Sequence, residues 1–133
     1  SRRDQVVGVS LEGATVLVTG GAGFIGSELV HQLCAAGARV RIVDNLANGK
    51  ADNLSGLRHD RCQLLVADVR DRTAMAGWLA GVDVVYHLAC LGVRHSIHSP
   101  IENHEVNATA TLHLLETAKR ANVRRFVYVS SSE

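Results

Sequence analysis

Proline occurs once in this chain, lysine twice, and aromatic residues make up only 4% of it. Neither sign of charge dominates: 14 Lys and Arg stand against 13 Asp and Glu, a formal net charge of +1. With no excess positive field, and with its twelve arginines scattered, the chain is a poor match for a polyanion-binding protein. Three cysteines, Cys34, Cys62 and Cys90, are odd in number and form no CxxC pair. That pattern argues against a disulfide framework or zinc site and predicts three reduced thiols, as in a cytoplasmic protein. No stretch approaches the roughly 18–20 apolar residues of a membrane span. The first residues, Ser1 to Gln5, do not open a signal peptide. What remains is 133 residues, 47% hydrophobic, enough for one domain with its own core.

Five apolar runs rich in β-branched residues recur along it: 14–19, 39–43, 62–67, 82–89 and 125–130. Continuous runs of this length read as strands buried on both faces, as in a parallel sheet covered by helices. Helical periodicity fills the intervals. Phe24, Ile25, Leu29, Val30 and Leu33 repeat at three-to-four spacing before Gly37, a candidate C-cap. Asp71 opens a shorter helix that places Met75, Trp78 and Leu79 together in the core. Residues 102–121 read as the longest helix, with Val106, Leu112, Leu115 and Ala118 as its apolar face and the lone Pro100 just before it. Loop composition is confined to 45–56. Strand–helix–strand repeats with short connections imply right-handed crossovers and an open α/β sheet of order 3-2-1-4-5. Its functional crevice should lie at the carboxyl ends of strands one and four.

Directly after the first strand comes Thr19-Gly20-Gly21-Ala22-Gly23-Phe24-Ile25-Gly26. Glycines at 20, 23 and 26 suit a tight turn, a close approach of backbone to a pyrophosphate, and close packing of helix on strand. The helix that follows offers unpaired N–H groups to the anion. Asp44 ends the second strand, 18 residues after Gly26. A carboxylate there accepts from both adenosine ribose hydroxyls and repels a 2′-phosphate, which favours NAD over NADP. The sequence thus predicts a Rossmann-type, doubly wound parallel sheet over 14–133, preceded by a short extension, 1–13.

The segments TGGAGFIGS (19–27), VDNLANG (43–49), ADVRD (67–71), VVYHLAC (84–90), VNATATLHLLETA (106–118) and FVYVSSSE (126–133) together resemble the extended short-chain dehydrogenase/reductase family of NAD-dependent sugar epimerases and dehydratases. The resemblance runs from about residue 15 to 133. It implies that Gly20, Gly23, Phe24, Ile25 and Gly26 form the phosphate turn, and that Asn45, Asn48 and Gly49 lie near the adenosine ribose beside Asp44. It implies that Asp68 and Val69 hold the adenine, that Leu88, Ala89 and Cys90 line the pyrophosphate and nicotinamide ribose, and that Asn107 braces this region. Ser131 aligns with the catalytic Ser/Thr that bonds the sugar hydroxyl being oxidised, and Ser132 and Glu133 follow it in the substrate-facing loop. Arg94, in Gly92-Val93-Arg94, resembles a substrate-facing arginine of hexose and hexuronate 4-epimerases. Cys90 and Ala110 stand where the family usually has other small residues.

Family chemistry also needs Tyr-x-x-x-Lys, in which lysine lowers the pKa of a tyrosine base. Four residues after Tyr86 stands Cys90, and four after Tyr128 stands Ser132. The expectation is therefore of the cofactor-binding portion of a longer enzyme, without its C-terminal substrate domain and inactive alone. The longer enzyme would be a cytoplasmic homodimer, with no nucleic-acid or membrane partner, acting on a UDP-hexose or UDP-hexuronate. Oxidation at C4 followed by re-reduction, the 4-epimerase reaction, is the first reading. UDP-glucuronate decarboxylase is the alternative, since Ser131-Ser132-Glu133 approaches the Thr-Ser-Glu of decarboxylases. The Asp-Glu pair usual in dehydratases is missing. A reading of another class is a non-catalytic NAD(P)-binding sensor or scaffold. His95, His98 and His104 lack a complete ligand set, so no metal is expected. His87, among apolar residues of the fourth strand, reads as a core histidine satisfied by backbone. Cys90 has no neighbour to depress its pKa and reads as packing.

Overall fold

The computed structural model describes residues 11–20, 24–45, 51–57, 60–90 and 100–131; at Phe24, Ala51, 89–90, 100–107 and 130–131 it describes the backbone alone. In chain order the elements are β1 (Thr15–Thr19), α1 (Phe24–Ala35), β2 (Arg39–Asp44), a 3-10 turn (Ala51–Leu54), β3 (Cys62–Val66), α2 (Arg72–Leu79), β4 (Val84–Cys90), α3 (Pro100–Arg120) and β5 (Arg125–Ser131). The five strands are all parallel in the order β3-β2-β1-β4-β5. The α/β architecture and strand order agree with the sequence reading, while the longest helix starts at Pro100 itself, where a missing N–H costs nothing, and a 3-10 turn stands within the 45–56 loop.

Each strand sends alternate side chains to opposite faces, so the apolar runs of β1 to β4 supply two cores, whereas the edge strand β5, among its described side chains, adds only Phe126 to one of them. On one face Val16, Val18, Val40, Ile42, Cys62 and Val84 pack with Val30 and Leu33 of α1. On the other, Leu17, Val43 and Val85 meet Met75 and Leu79 of α2 and Leu114 and Ala118 of α3. Burying each Val or Leu side chain contributes about 1.5–3 kcal/mol.

The helix ends explain themselves. α1 stops because Gly37 takes φ +89, letting Gly37 N–H donate to Cys34 O and Ala38 N–H to Leu33 O. Asn122, at φ 62, does the same for α3: its N–H donates to Lys119 O and Val123 N–H donates to Ala118 O. α2 begins where Asp71 accepts from Ala74 N–H at 3.1 Å. It ends where Arg41, reaching from β2, donates to the Trp78 and Ala80 carbonyls, each at 2.7 Å. At the amino edge of the sheet Asp83 joins three strands: its carboxylate accepts from Thr15 N–H, its N–H donates to Thr15 O, and its carbonyl accepts from Arg124 N–H.

Two expectations are corrected here. Among the described side chains of α3, Ala118 is buried as expected, but its companions are Ala110 and Leu114, whereas Leu112 and Leu115 are exposed; the Val106 side chain lies outside the described residues. The helix carries two apolar stripes, and the one with two alanines lets its backbone sit close to the sheet. The structure also joins Cys34 to Cys62 as a disulfide, with Cα atoms 7.3 Å apart, where three separate thiols were expected. The two are 28 residues apart in sequence, and only the crossing of α1 over the sheet brings them together. Among the described residues, no helix is long and apolar enough to cross a membrane.

Candidate functional site

The carboxyl ends of β1 to β4 converge, and backbone hydrogen bonds fix them to one another. Gly20 N–H donates to Val43 O at 2.8 Å, tying the turn after β1 to the end of β2. Ala67 N–H donates to Asp44 O at 3.1 Å, tying the segment after β3 to the same place. On the other side Gly20 lies against Leu88 of β4. It has φ +75, and a Cβ there would stand 3.1 Å from Leu88 O. Only glycine suits both the left-handed backbone and the narrow gap. The turn after β1 is thus pinned close against the end of β4.

Around it the sequence candidates fall as follows. Gly20 opens the turn, Ile25 is exposed on the first turn of α1, and Gly26 is buried beneath it. Asp44 is buried at the end of β2 with only 8% exposure, and Asn45 beside it is exposed. Asp68 and Val69 follow β3, both half-buried, and Leu88 is half-buried at the end of β4. Phe24, Ala89, Cys90, Asn107 and Ser131 are placed by their backbone, in α1, β4, α3 and β5. Cys90 and Ser131 are register partners at the ends of β4 and β5. Gly23, Asn48, Gly49, Arg94, Ser132 and Glu133 lie outside the described residues.

Two polar arrangements here were not foreseen in full. His87 is buried on β4, and its partners are side chains, not backbone. Nδ1 lies 2.6 Å from Thr19 Oγ1 and Nε2 lies 2.9 Å from Thr111 Oγ1. Thr19 Oγ1 also accepts from Leu88 N–H at 3.2 Å. The assignment that gives each group a complementary partner has the Thr19 hydroxyl donating to Nδ1 and the proton on Nε2 donating to Thr111. Burial pushes the imidazole pKa down to about 4, so the ring is neutral at pH 7. The phenylalanine ring of Phe126 and the tyrosine ring of Tyr128 sit tilted against it, at 6.1 and 5.7 Å.

The second arrangement is a local clamp. Arg70 donates to both carboxylate oxygens of Asp68, from Nε at 3.0 and 2.9 Å and from Nη2 at 2.6 Å. Its backbone N–H donates to Oδ1 at 2.8 Å. The Arg70 side-chain hydrogen bonds hold the Asp68 carboxyl below the ordinary carboxylate range. The two-residue spacing within ADVRD was the available signal for this pair.

A surface groove between α2 and α3, lined by Arg72, Ala76, Ala80, Thr117, Arg120 and Ala121, contains none of these residues. The chemistry-bearing groups are at the strand ends.

The model of the NAD dependent epimerase/dehydratase family matches residues 16–133. The chain belongs to that family. Among its relatives, a UDP-glucose 4-epimerase of Mycolicibacterium smegmatis is 41% identical over 119 residues, covering 86% of this chain and 38% of the relative. UDP-glucuronic acid decarboxylase 1 of Arabidopsis thaliana is 37% identical over 129 residues, covering 96% of this chain and 28% of the relative. A solved UDP-glucose-4-epimerase from Stenotrophomonas maltophila, with bound NAD and formylated UDP-arabinopyranose, superposes with a TM-score of 0.77 at 35% identity. That match covers 89% of this chain and 37% of the other. Family members thus bind NAD, and this chain spans well under half the length of these relatives.

Proposed function

We propose that this chain is the cofactor-binding portion of an NAD-dependent nucleotide-sugar 4-epimerase acting on a UDP-hexose or UDP-hexuronate. The observation that carries the reading is the convergence of Gly20, Asp44 and Asp68 at neighbouring strand ends, with Gly20 in a left-handed backbone close against Leu88. The residues fit NAD. The glycine turn and the amino end of α1 supply N–H groups for the pyrophosphate, with Phe24, Ile25 and Gly26 in its first turn. Asp44 takes the ribose hydroxyls, with Asn45, Asn48 and Gly49 alongside, and its charge disfavours a 2′-phosphate. Asp68 and Val69 take the adenine. Leu88, Ala89 and Cys90 line the remaining length, braced by Asn107.

NAD, when bound, supplies the hydride acceptor and donor of such a reaction. The residues of this chain position and bind. Ser131, at the end of β5, holds the sugar hydroxyl that loses its proton, and Arg94, Ser132 and Glu133 bind the nucleotide sugar. No tyrosine of this sequence precedes a lysine by four residues. The base that removes the hydroxyl proton therefore comes from outside residues 1–133. In the cytoplasm a homodimer of the longer protein would carry both parts.

Incubating the full-length protein with UDP-glucose and resolving the anomeric protons by NMR tests the proposal. UDP-galactose formation supports it. Loss of CO2 from UDP-glucuronate, without epimerisation, would replace it with the decarboxylase reading, which the identity to the plant enzyme favours. NAD binding with no turnover of either sugar would leave a sensor or scaffold.

A further inference from the structure

Asp68 and Arg70 form an ion pair with side-chain exposures of 36% and 62%. A pair this open adds little to stability, so its geometry calls for another account. That geometry is unusually complete. The Asp68 carbonyl accepts from Asp71 N–H at 3.0 Å, closing a turn, and Asp71 in turn caps α2. The carboxylate is thus mounted on a short segment anchored at both sides, to Asp44 through Ala67 and to the helix through Asp71.

A carboxylate has about four lone pairs. Arg70 brings three N–H donors to them: Nε–H, Nη2–H and its backbone N–H. The backbone N–H takes Oδ1 alone, Nη2 takes Oδ2 alone, and Nε is shared between the two oxygens. Three donors on about four positions leave one acceptor position open.

We propose that Arg70 is a positioning residue that makes Asp68 a one-acceptor reader of the purine edge, selecting a 6-amino base over a 6-oxo base. The inference rests on the reading of Asp68 as the adenine residue and deepens it. β2 and β3 are neighbouring strands about 4.8 Å apart, so a ribose held at Asp44 carries its base to the end of β3. There the remaining lone pair accepts an exocyclic amine and repels an exocyclic oxygen. Held in place by the guanidinium, the carboxylate cannot turn away from the wrong base. The lowered Asp68 pKa keeps it acceptor-only at neutral pH.

The test is titration of the full-length protein with NAD and with nicotinamide hypoxanthine dinucleotide, in the parent, Arg70→Ala and Arg70→Lys forms. A hydrogen bond to a charged group corresponds to a preference for NAD of about tenfold or more in the parent. Arg70→Ala should weaken NAD by about five- to tenfold and leave the hypoxanthine analogue nearly unchanged, so that the preference collapses. Arg70→Lys, which has no fork, should fall between. Arg70→Ala that keeps the preference, or that weakens both dinucleotides equally, overturns the proposal and leaves NAD binding intact. A parent protein that binds neither dinucleotide overturns the NAD reading, and this proposal with it.

Discussion

The His87 and Asp68 arrangements stand at the same end of the sheet and are built in opposite ways. His87 is 5% exposed and neutral, and it draws its partners from 68 and 24 residues away. Asp68 is charged, open to solvent, and satisfied by a residue two positions on. The first joins β1, β4 and α3 through side chains buried between them. The second is complete within one turn. A buried polar group therefore governs whether the strand ends hold together, and a rim ion pair governs only what they present.

Breaking the buried side should have the largest effect. His87→Ala removes the ring, leaves the Thr19 and Thr111 hydroxyls without this partner, and opens a cavity. The expected loss is about 3 kcal/mol, read as a shift in urea midpoint. His87→Gln, which can still reach one hydroxyl, should lose less.

Acid sharpens the contrast next. The His87 pKa is about 4 folded and about 6.5 unfolded. Between those values the unfolded chain binds a proton that the folded chain does not, so stability falls as pH drops from about 6.5 to about 4. The difference amounts to at most about 3 kcal/mol for this group. Above 6.5 it contributes no slope. Urea melts across that window should show the loss, and His87→Gln should flatten it; an unchanged slope would mean that other groups carry it.

Gly20 lies between the two arrangements, in the turn after Thr19 and against Leu88. Gly20→Ala must take a left-handed backbone and push on Leu88 O, a stability cost of about 1–2 kcal/mol. Calorimetric titration should show NAD affinity falling further than this, because the same backbone approaches the phosphates.

The contrast also explains what could be read from the sequence. The strand order was legible because each parallel strand is a continuous apolar run and short crossovers leave few topologies. Gly20 and Asp44 were legible as strand-end positions because they follow their strands at fixed offsets, and Asp68 only through the family resemblance of ADVRD. The Asp71 cap was legible because its partner is three residues away. What escaped depended on distance. The Thr19–His87–Thr111 chain joins three elements, and nothing in the spacing marks two threonines as the partners of one histidine. Cys34 and Cys62 meet only once α1 is laid on the sheet. On α3 the two stripes compete, and hydrophobicity alone favours Leu112 and Leu115 over the alanines that pack.

Arg70→Ala should have the smallest effect on stability and is the sharpest check of the contrast. Exposed pairs contribute about 0–1 kcal/mol, so at pH 7 the urea midpoint should move by no more than about 0.5 kcal/mol equivalent. The acid limb tells more. With Arg70 present, the folded Asp68 pKa lies below its unfolded value, so this group's contribution is present above about 3.8 and is lost as pH falls below that. Without Arg70 the two values converge and that part of the slope disappears. The window lies just below the one His87 occupies, so melts from pH 7 down to 3 separate the two groups in one protein. If Arg70→Ala instead cost as much as His87→Ala, the rim pair would be holding the strand ends together, and the division between buried joint and exposed reader would fail.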